Sequence, residues 1–303
     1  MVLLAIPRGF KKIEQMSDFQ IAITADLHWG HRHGQEQTRA LIASLEQSPP
    51  DVIILAGDIG TANLFGDCLA QFRNLTCPKL LVPGNHDIWV PTDDERDSLQ
   101  RYQEDLPRIS AEHGFHYLEH APWVLSEVDL GVVGTINWYD YSWAEDQLRV
   151  MYPGDLHRLE SKRFRRGRHN DFRFVRWEHD DGSFTLMVVE NFARQLAEAK
   201  SQVSDLLVVT HHPPCFDLGF PRLGGSLMLD HLLWDAFCGN ARIEEVLKKQ
   251  AEHVCFIFCG HTHRVCTAEI QGMQGYNVGS DYPTKRLLRL SWTKRQITVE
   301  EFN

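Results

Sequence analysis

Five short apolar runs in this chain end in the same kind of residue, and that repetition restricts the fold more than any other feature. The runs are IAITAD (21–26), DVIILAGD (51–58), KLLVPGN (79–85), LLVVTHH (206–212) and VCFIFCGHTH (254–263). Each reads as a buried β-strand, short and rich in branched apolar residues. Each then gives way to aspartate, asparagine or histidine. Helical patterns lie between them, such as QEQTRALIASLEQS (35–48). Another spans 184–200, where Phe184, Val188, Phe192 and Leu196 recur every four residues behind a Ser183 cap. Strand–helix alternation predicts an α/β fold whose ligands collect at the carboxyl ends of the strands. From Val265 to Phe302 strand signals dominate (VCTAEI, GYNVG, RLLRLSW, QITVEEF), which predicts a second sheet packed on the first.

The polar residues at the five ends form a set: Asp26 and His28; Asp58; Asn85, His86 and Asp87; His211 and His212; His261 and His263. Unpaired polar groups at buried strand ends are costly, so they need something to hold. Carboxylate, imidazole and amide oxygen together suit borderline divalent metals such as Mn, Fe, Co or Zn. The set is too large for one tetrahedral ion. It fits two ions sharing a bridging carboxylate, typically about 3.5–4 Å apart. The polar triplet at 85–87 would then help hold a metal pair and the phosphate brought to it.

Bulk properties narrow the setting. A net charge of −10 over 303 residues gives no overall attraction to nucleic acid or to anionic membranes. No apolar run approaches a membrane span. Seven scattered cysteines, an odd number, predict reduced thiols and a cytoplasmic protein. The opening MVLLAIPRGFKK is too short and wrongly charged for a signal peptide. Residues 1–18 read as a loose N-terminal extension, with Met16 an alternative start, and 19–303 as the domain. Residues 137–183 break the rhythm: aromatics and arginines without clean periodicity, the look of an insertion or cap.

The segments DLH (26–28), GDI (57–59), GNHD (84–87), HH (211–212) and GHTH (260–263) resemble, in order and spacing, the motifs of the calcineurin-like metallophosphoesterases. Any one alone is weak, but five in order over about residues 19–300 are specific. The resemblance implies a four-layer α/β/β/α sandwich of two mixed sheets flanked by helices. It implies that Asp26, His28 and His263 bind one metal, that Asp58 bridges, and that Asn85, His211 and His261 bind the other. Strand alternation lets one of the adjacent pair 211–212 face the metals, and the family pattern puts His211 there. His86 would stabilise or protonate the leaving oxygen, with Asp87 orienting its imidazole. The implied reaction is hydrolysis of a phosphate mono- or diester, by in-line attack of a metal-bridging hydroxide.

Other residues carry blander readings. Cys255 and Cys259 could join a zinc cluster, but their spacing puts both on one face of a strand, where free cysteine is ordinary core. Trp138, Tyr139, Tyr141 and Trp143 read as packing before a base-stacking wall. Asp67, Asp93 and Asp94 read as helix caps. Residues 158–176 hold eight basic side chains against Glu160 and Asp171, either an ion-paired face or a dock for a substrate anion. A nuclease is the runner-up; the acidic total charge disfavours nucleic acid, although the basic segment could offset it locally. A non-catalytic scaffold is disfavoured because every Asp, Asn and His of the motifs is present.

Overall fold

The computed structural model describes residues 18–92, 94–220 and 228–303. The expected extension, Asp18 apart, and the expected cap residue Asp93 lie outside the described residues. Among the described residues, twelve strands form two six-stranded mixed sheets. β1 (Gln20–Thr24), β2 (Val52–Ala56), β3 (Lys79–Val82) and β4 (Phe115–Tyr117) run parallel in the first. β5 (Trp123–Leu125), β6 (Leu130–Thr135), β7 (Asp205–Thr210), β8 (Val254–Cys259), β9 (Cys266–Ile270) and β10 (Met273–Asn277) form the second. β11 (Lys285–Ser291) and β12 (Gln296–Phe302) return to the first sheet, β11 pairing antiparallel with β1.

The layering follows from alternation along each strand. Ile21, Ile23, Ile54 and Val82 of the first sheet meet Val132, Val209 and Phe258 of the second in a core between the sheets. The intervening residues Ala22, Ile53 and Leu55 face outward onto Leu41 and Leu45 of the helix Gln35–Gln47. On the far side, Val208 and Ile257 pack on Phe192 and Leu196 of the helix Asp181–Lys200. The result is the expected α/β/β/α sandwich.

Several expectations change. The C-terminal strands do not make a sheet of their own: β9 and β10 extend the second sheet, and β11 and β12 extend the first. β7 and β8 belong to the second sheet, not to that of β1–β3. Between β7 and β8 the register slips, Leu206 opposing Val254 and Leu207 opposing Phe256. Cys255 is the extra residue, and this bulge reverses the alternation. Cys255 therefore packs on the inter-sheet core and Cys259 on the opposite side, so the pair shares no face. The helix Asp181–Lys200 is capped by Asp180, whose carboxylate accepts from Ser183 N at 2.8 Å, rather than by Ser183. Asp67 sits inside the helix Leu64–Leu69, and Asp94 accepts from Arg96 N in a turn; Asp97 provides the next cap.

Residues 137–183 contain the short helices Glu145–Met151, His157–Glu160 and Asp171–Phe174. Trp138 and Tyr139 are fully buried, in keeping with the packing reading. The segment is tied down at buried Asp181, which accepts from Trp138 Nε1 at 2.7 Å and from Tyr141 and Lys162.

Candidate metal centre

The five strand ends converge. Asp26 and His28 follow β1, Asp58 follows β2, Asn85 to Asp87 follow β3, His211 and His212 follow β7, and His261 and His263 follow β8. Asp26, His28, Asp58, His261 and His263 all have left-handed backbones, with φ between 44° and 70°. That region costs an L-residue about 1–2 kcal/mol. Five such residues persist only where their surroundings over-determine them. Close loop stacking contributes: a Cβ on Gly84 would lie 2.2 Å from Asp58 Oδ1 and 2.3 Å from Asp58 N.

Two groups of side chains emerge. In the first, Asp26, His28, Asp58 and His263 bring one ligand atom each within 4.8 Å of one another. His28 Nε2 is 3.0 Å from His263 Nε2 and 3.6 Å from Asp58 Oδ2, and His263 Nε2 is 3.7 Å from Asp26 Oδ1. In the second, His211 Nε2 lies 3.1 Å from Asn85 Oδ1 and 3.4 Å from Asp58 Oδ1. His211, His212 and His261 also bring nitrogens within 4.8 Å. His212 thus stays within reach of this group, its Nδ1 at 3.0 Å from Ile136 O and its buried Nε2 without a partner among the described residues.

These residues fit divalent cations. Asp26 Oδ2 is buried and has no hydrogen-bond partner among the described residues, an acceptor suited to a positive charge. Burial drives His28 and His261 well below the ordinary imidazole value, so both are neutral, the form that ligates. Burial opposes ionisation of Asp58, yet the charge of His211 and its hydrogen bond hold the carboxyl well below the usual range. The outer contacts fix tautomers as metal-bound histidines require. His211 Nδ1 lies 3.0 Å from Ala56 O and His263 Nδ1 3.2 Å from Asp281 Oδ1, leaving each Nε2 to face the group.

Asp87 does something other than orient His86. Its Oδ1 accepts from Ile59 N and Gly60 N, and its Oδ2 from Gly84 N, each at 2.8 Å. The carboxylate clamps the loop after β3 to the loop after β2. The His86 ring instead stacks on Trp89, and its Nε2 lies 3.9 Å from Asp58 Oδ2. Sequence reasoning missed Trp89, and also Asp171, whose Oδ1 accepts from Asn85 Nδ2 at 2.9 Å and from Trp89 Nε1 at 2.7 Å. Asp171 appeared only as a counter-charge in a basic run. No local signal marked either residue, because their partners lie in other segments.

The groups open into a cavity of about 960 Å³, walled by Phe164, Trp234, Phe220, Arg166 and Arg168. Much of the remaining basic segment is engaged elsewhere. Arg158 pairs with Asp155 at 2.6 Å, Lys162 with Asp181, and Arg165 with Asp230 at 3.5 Å. Arg176 donates to Pro91 O at 2.5 Å.

The family model described as calcineurin-like phosphoesterase matches residues 19–265. No curated protein is matched by sequence. Among solved structures, phosphopantetheinyl hydrolase from Mycobacterium tuberculosis is similar with a TM-score of 0.65 and 22% identity, over 88% of this chain and 92% of that one. A dimetal phosphatase from Danio rerio is similar with a TM-score of 0.55 and 13% identity, over 94% and 99%. At such identities the likeness is one of fold. The family match spans most of the chain, including every strand-end motif, and this chain belongs to the calcineurin-like phosphoesterase family.

Proposed function

We propose that this protein is a metal-dependent phosphoesterase using two divalent ions drawn from Mn, Fe, Zn and Co. One observation carries the dinuclear reading: Asp58 presents Oδ2 to His28 at 3.6 Å and Oδ1 to His211 at 3.4 Å, one oxygen to each group. Asp26, His28 and His263 would hold the first ion and Asn85, His211 and His261 the second, with Asp58 between. When bound, such a pair supplies Lewis acidity toward the phosphoryl oxygens and acidifies water for attack on phosphorus. His86, one-fifth exposed beside Asp58, serves the leaving oxygen as hydrogen-bond or proton donor. Asp87 keeps the two loops in register.

The cavity, at about 960 Å³, is in the size class of small-molecule sites, which favours a small phosphate ester over nucleic acid. Residues 137–183 act as a cap on the domain, lending Arg166 and Arg168 to the wall. All seven cysteines are free thiols, which supports a reducing compartment such as the cytoplasm. No helix among the described residues is long and apolar enough to cross a membrane.

The test is a turnover screen with added manganese over p-nitrophenyl phosphate, bis-p-nitrophenyl phosphate, cyclic nucleotides and single-stranded DNA. Manganese-dependent release from a small ester is expected, and chelator should abolish it. Activity confined to DNA would favour the nuclease reading. Absence of any turnover in protein loaded with manganese, iron, zinc or cobalt would sink the enzyme reading.

A further inference from the structure

We infer that Asp171, contributed by the arginine-rich segment, is a positioning residue that fixes the Asn85 amide and, through Trp89, the His86 ring. The side chain is almost wholly enclosed, with 1% of Asp171 exposed. Its Oδ1 accepts from Asn85 Nδ2 at 2.9 Å and Trp89 Nε1 at 2.7 Å. Its Oδ2 accepts from Tyr139 OH at 2.8 Å and faces His169 Nδ1 at 3.3 Å. Each oxygen is thus occupied, and each partner comes from outside the helix that carries Asp171.

The chemistry of an amide explains why a carboxylate belongs here. Asn85 has one accepting end and one donating end of nearly the same shape, and only the oxygen can ligate a cation. A carboxylate accepts and cannot donate, so Asp171 admits only the NH₂ end. Asn85 Oδ1 is then turned toward His211 Nε2, at 3.1 Å. The flipped amide would aim two N–H donors at the metal group. The same Asp171 oxygen holds the Trp89 indole, on which the His86 ring lies with centroids 3.6 Å apart. One buried carboxylate thereby sets both a ligand and the group beside the leaving oxygen.

This inference rests on the dinuclear reading, and the experiment separates the two. Manganese binding to metal-free protein is followed by titration calorimetry for the wild type, Asp171→Asn, Asp171→Ala and the control Tyr139→Phe. The control removes a donor from the other carboxylate oxygen and leaves the Asn85 contact. Loss of an outer-sphere partner weakens metal binding about 10–100-fold. Asp171→Ala should weaken one of the two sites by this amount and leave the other near wild type. Asp171→Asn, which is isosteric and whose amide can present either end, should weaken the same site about 10-fold, the low end of that range. Tyr139→Phe should leave both sites near wild type. Because the asparagine variant preserves shape, it decides the matter even if the alanine variant fails to fold. A folded asparagine variant with both affinities unchanged, or with both weakened together, overturns the positioning role alone. A wild type that binds no second ion overturns the dinuclear reading and this inference with it.

Discussion

The imidazole of His86 lies against the indole of Trp89, with centroids 3.6 Å apart and planes 23° from parallel. The indole in turn stacks on Phe174, at 5.0 Å and 29°. Among the described residues His86 is therefore held by ring packing, not by a carboxylate on its far nitrogen. Burial draws this imidazole below its ordinary value while Asp58 and Asp171 oppose that shift; in the proposed acid role the indole face would add to their support of the charged ring.

Replacing His86 by alanine should cut kcat about 10²–10⁴-fold for phenyl phosphate, the range expected of general acid catalysis. The loss should shrink for p-nitrophenyl phosphate, whose leaving group needs little protonation. Metal content, read by elemental analysis, should stay at the wild-type value. Equal losses on both esters would count against the acid role.

Asp58→Asn should weaken both ions together, because the two oxygens of this one carboxylate face the two groups. The groups also draw on both sheets, so bound metal should raise the melting temperature. At a free metal concentration 100 times Kd, each independent site adds about 2.7 kcal/mol to the wild type. Calorimetry showing loss of one site only in the variant would exclude a bridge.

Arg166 and Arg168 wall the cavity, whereas Arg165 is turned to Asp230. Reversing Arg166 and Arg168 to glutamate should raise KM about tenfold, or about 1.4 kcal/mol, for esters bearing a second anionic group. KM for p-nitrophenyl phosphate should hardly move, and Arg165→Glu should have little effect on either. The first effect should fade at high salt, where exposed charges are screened. Equal behaviour of the two substrates would make these arginines a solvated face.

Glu119 gives a pH prediction away from the metal groups. It is 4% exposed, accepts from Ile136 N, and burial pushes its carboxyl from 4.5 up to about 7. Between those values the folded protein keeps a proton that the unfolded chain has released. Stability therefore falls as pH rises from 4.5 to about 7, with no contribution below that window and a constant penalty above it. The penalty is about 3 kcal/mol. Glu119→Gln removes the titration, so its stability relative to wild type should rise by about that amount between pH 4.5 and pH 7.5 in urea unfolding of metal-free protein. An unchanged difference would refute it.

The strand-end motifs were legible because each sits on one short segment, where a strand must stop and turn its polar residues into a shared cleft. Sheet membership was not, since β7 and β8 are apolar on both faces, like β1 and β2, and nothing local says which sheet receives them. Asp87 was misread because its donors Ile59 and Gly60 belong to a different loop. Asp171 was invisible for the same reason: Asn85 lies 86 residues away, and a lone acid among arginines reads as charge balance. The bulge at Cys255 is one extra residue in an unbroken apolar run, which leaves no compositional trace.

His28 and His263 meet across 235 residues of chain, and β1 gains its antiparallel neighbour only from β11, at Lys285–Ser291. A chain still being synthesised therefore exposes one edge of β1 until β11 has emerged, and in the proposed reading it owns an incomplete ligand set until His263 has. Copies that stop short of it would lack a ligand of the proposed first ion. In the proposed enzyme, catalytic competence would itself certify that translation had passed His263, and a product truncated before that residue would be inert rather than partly active.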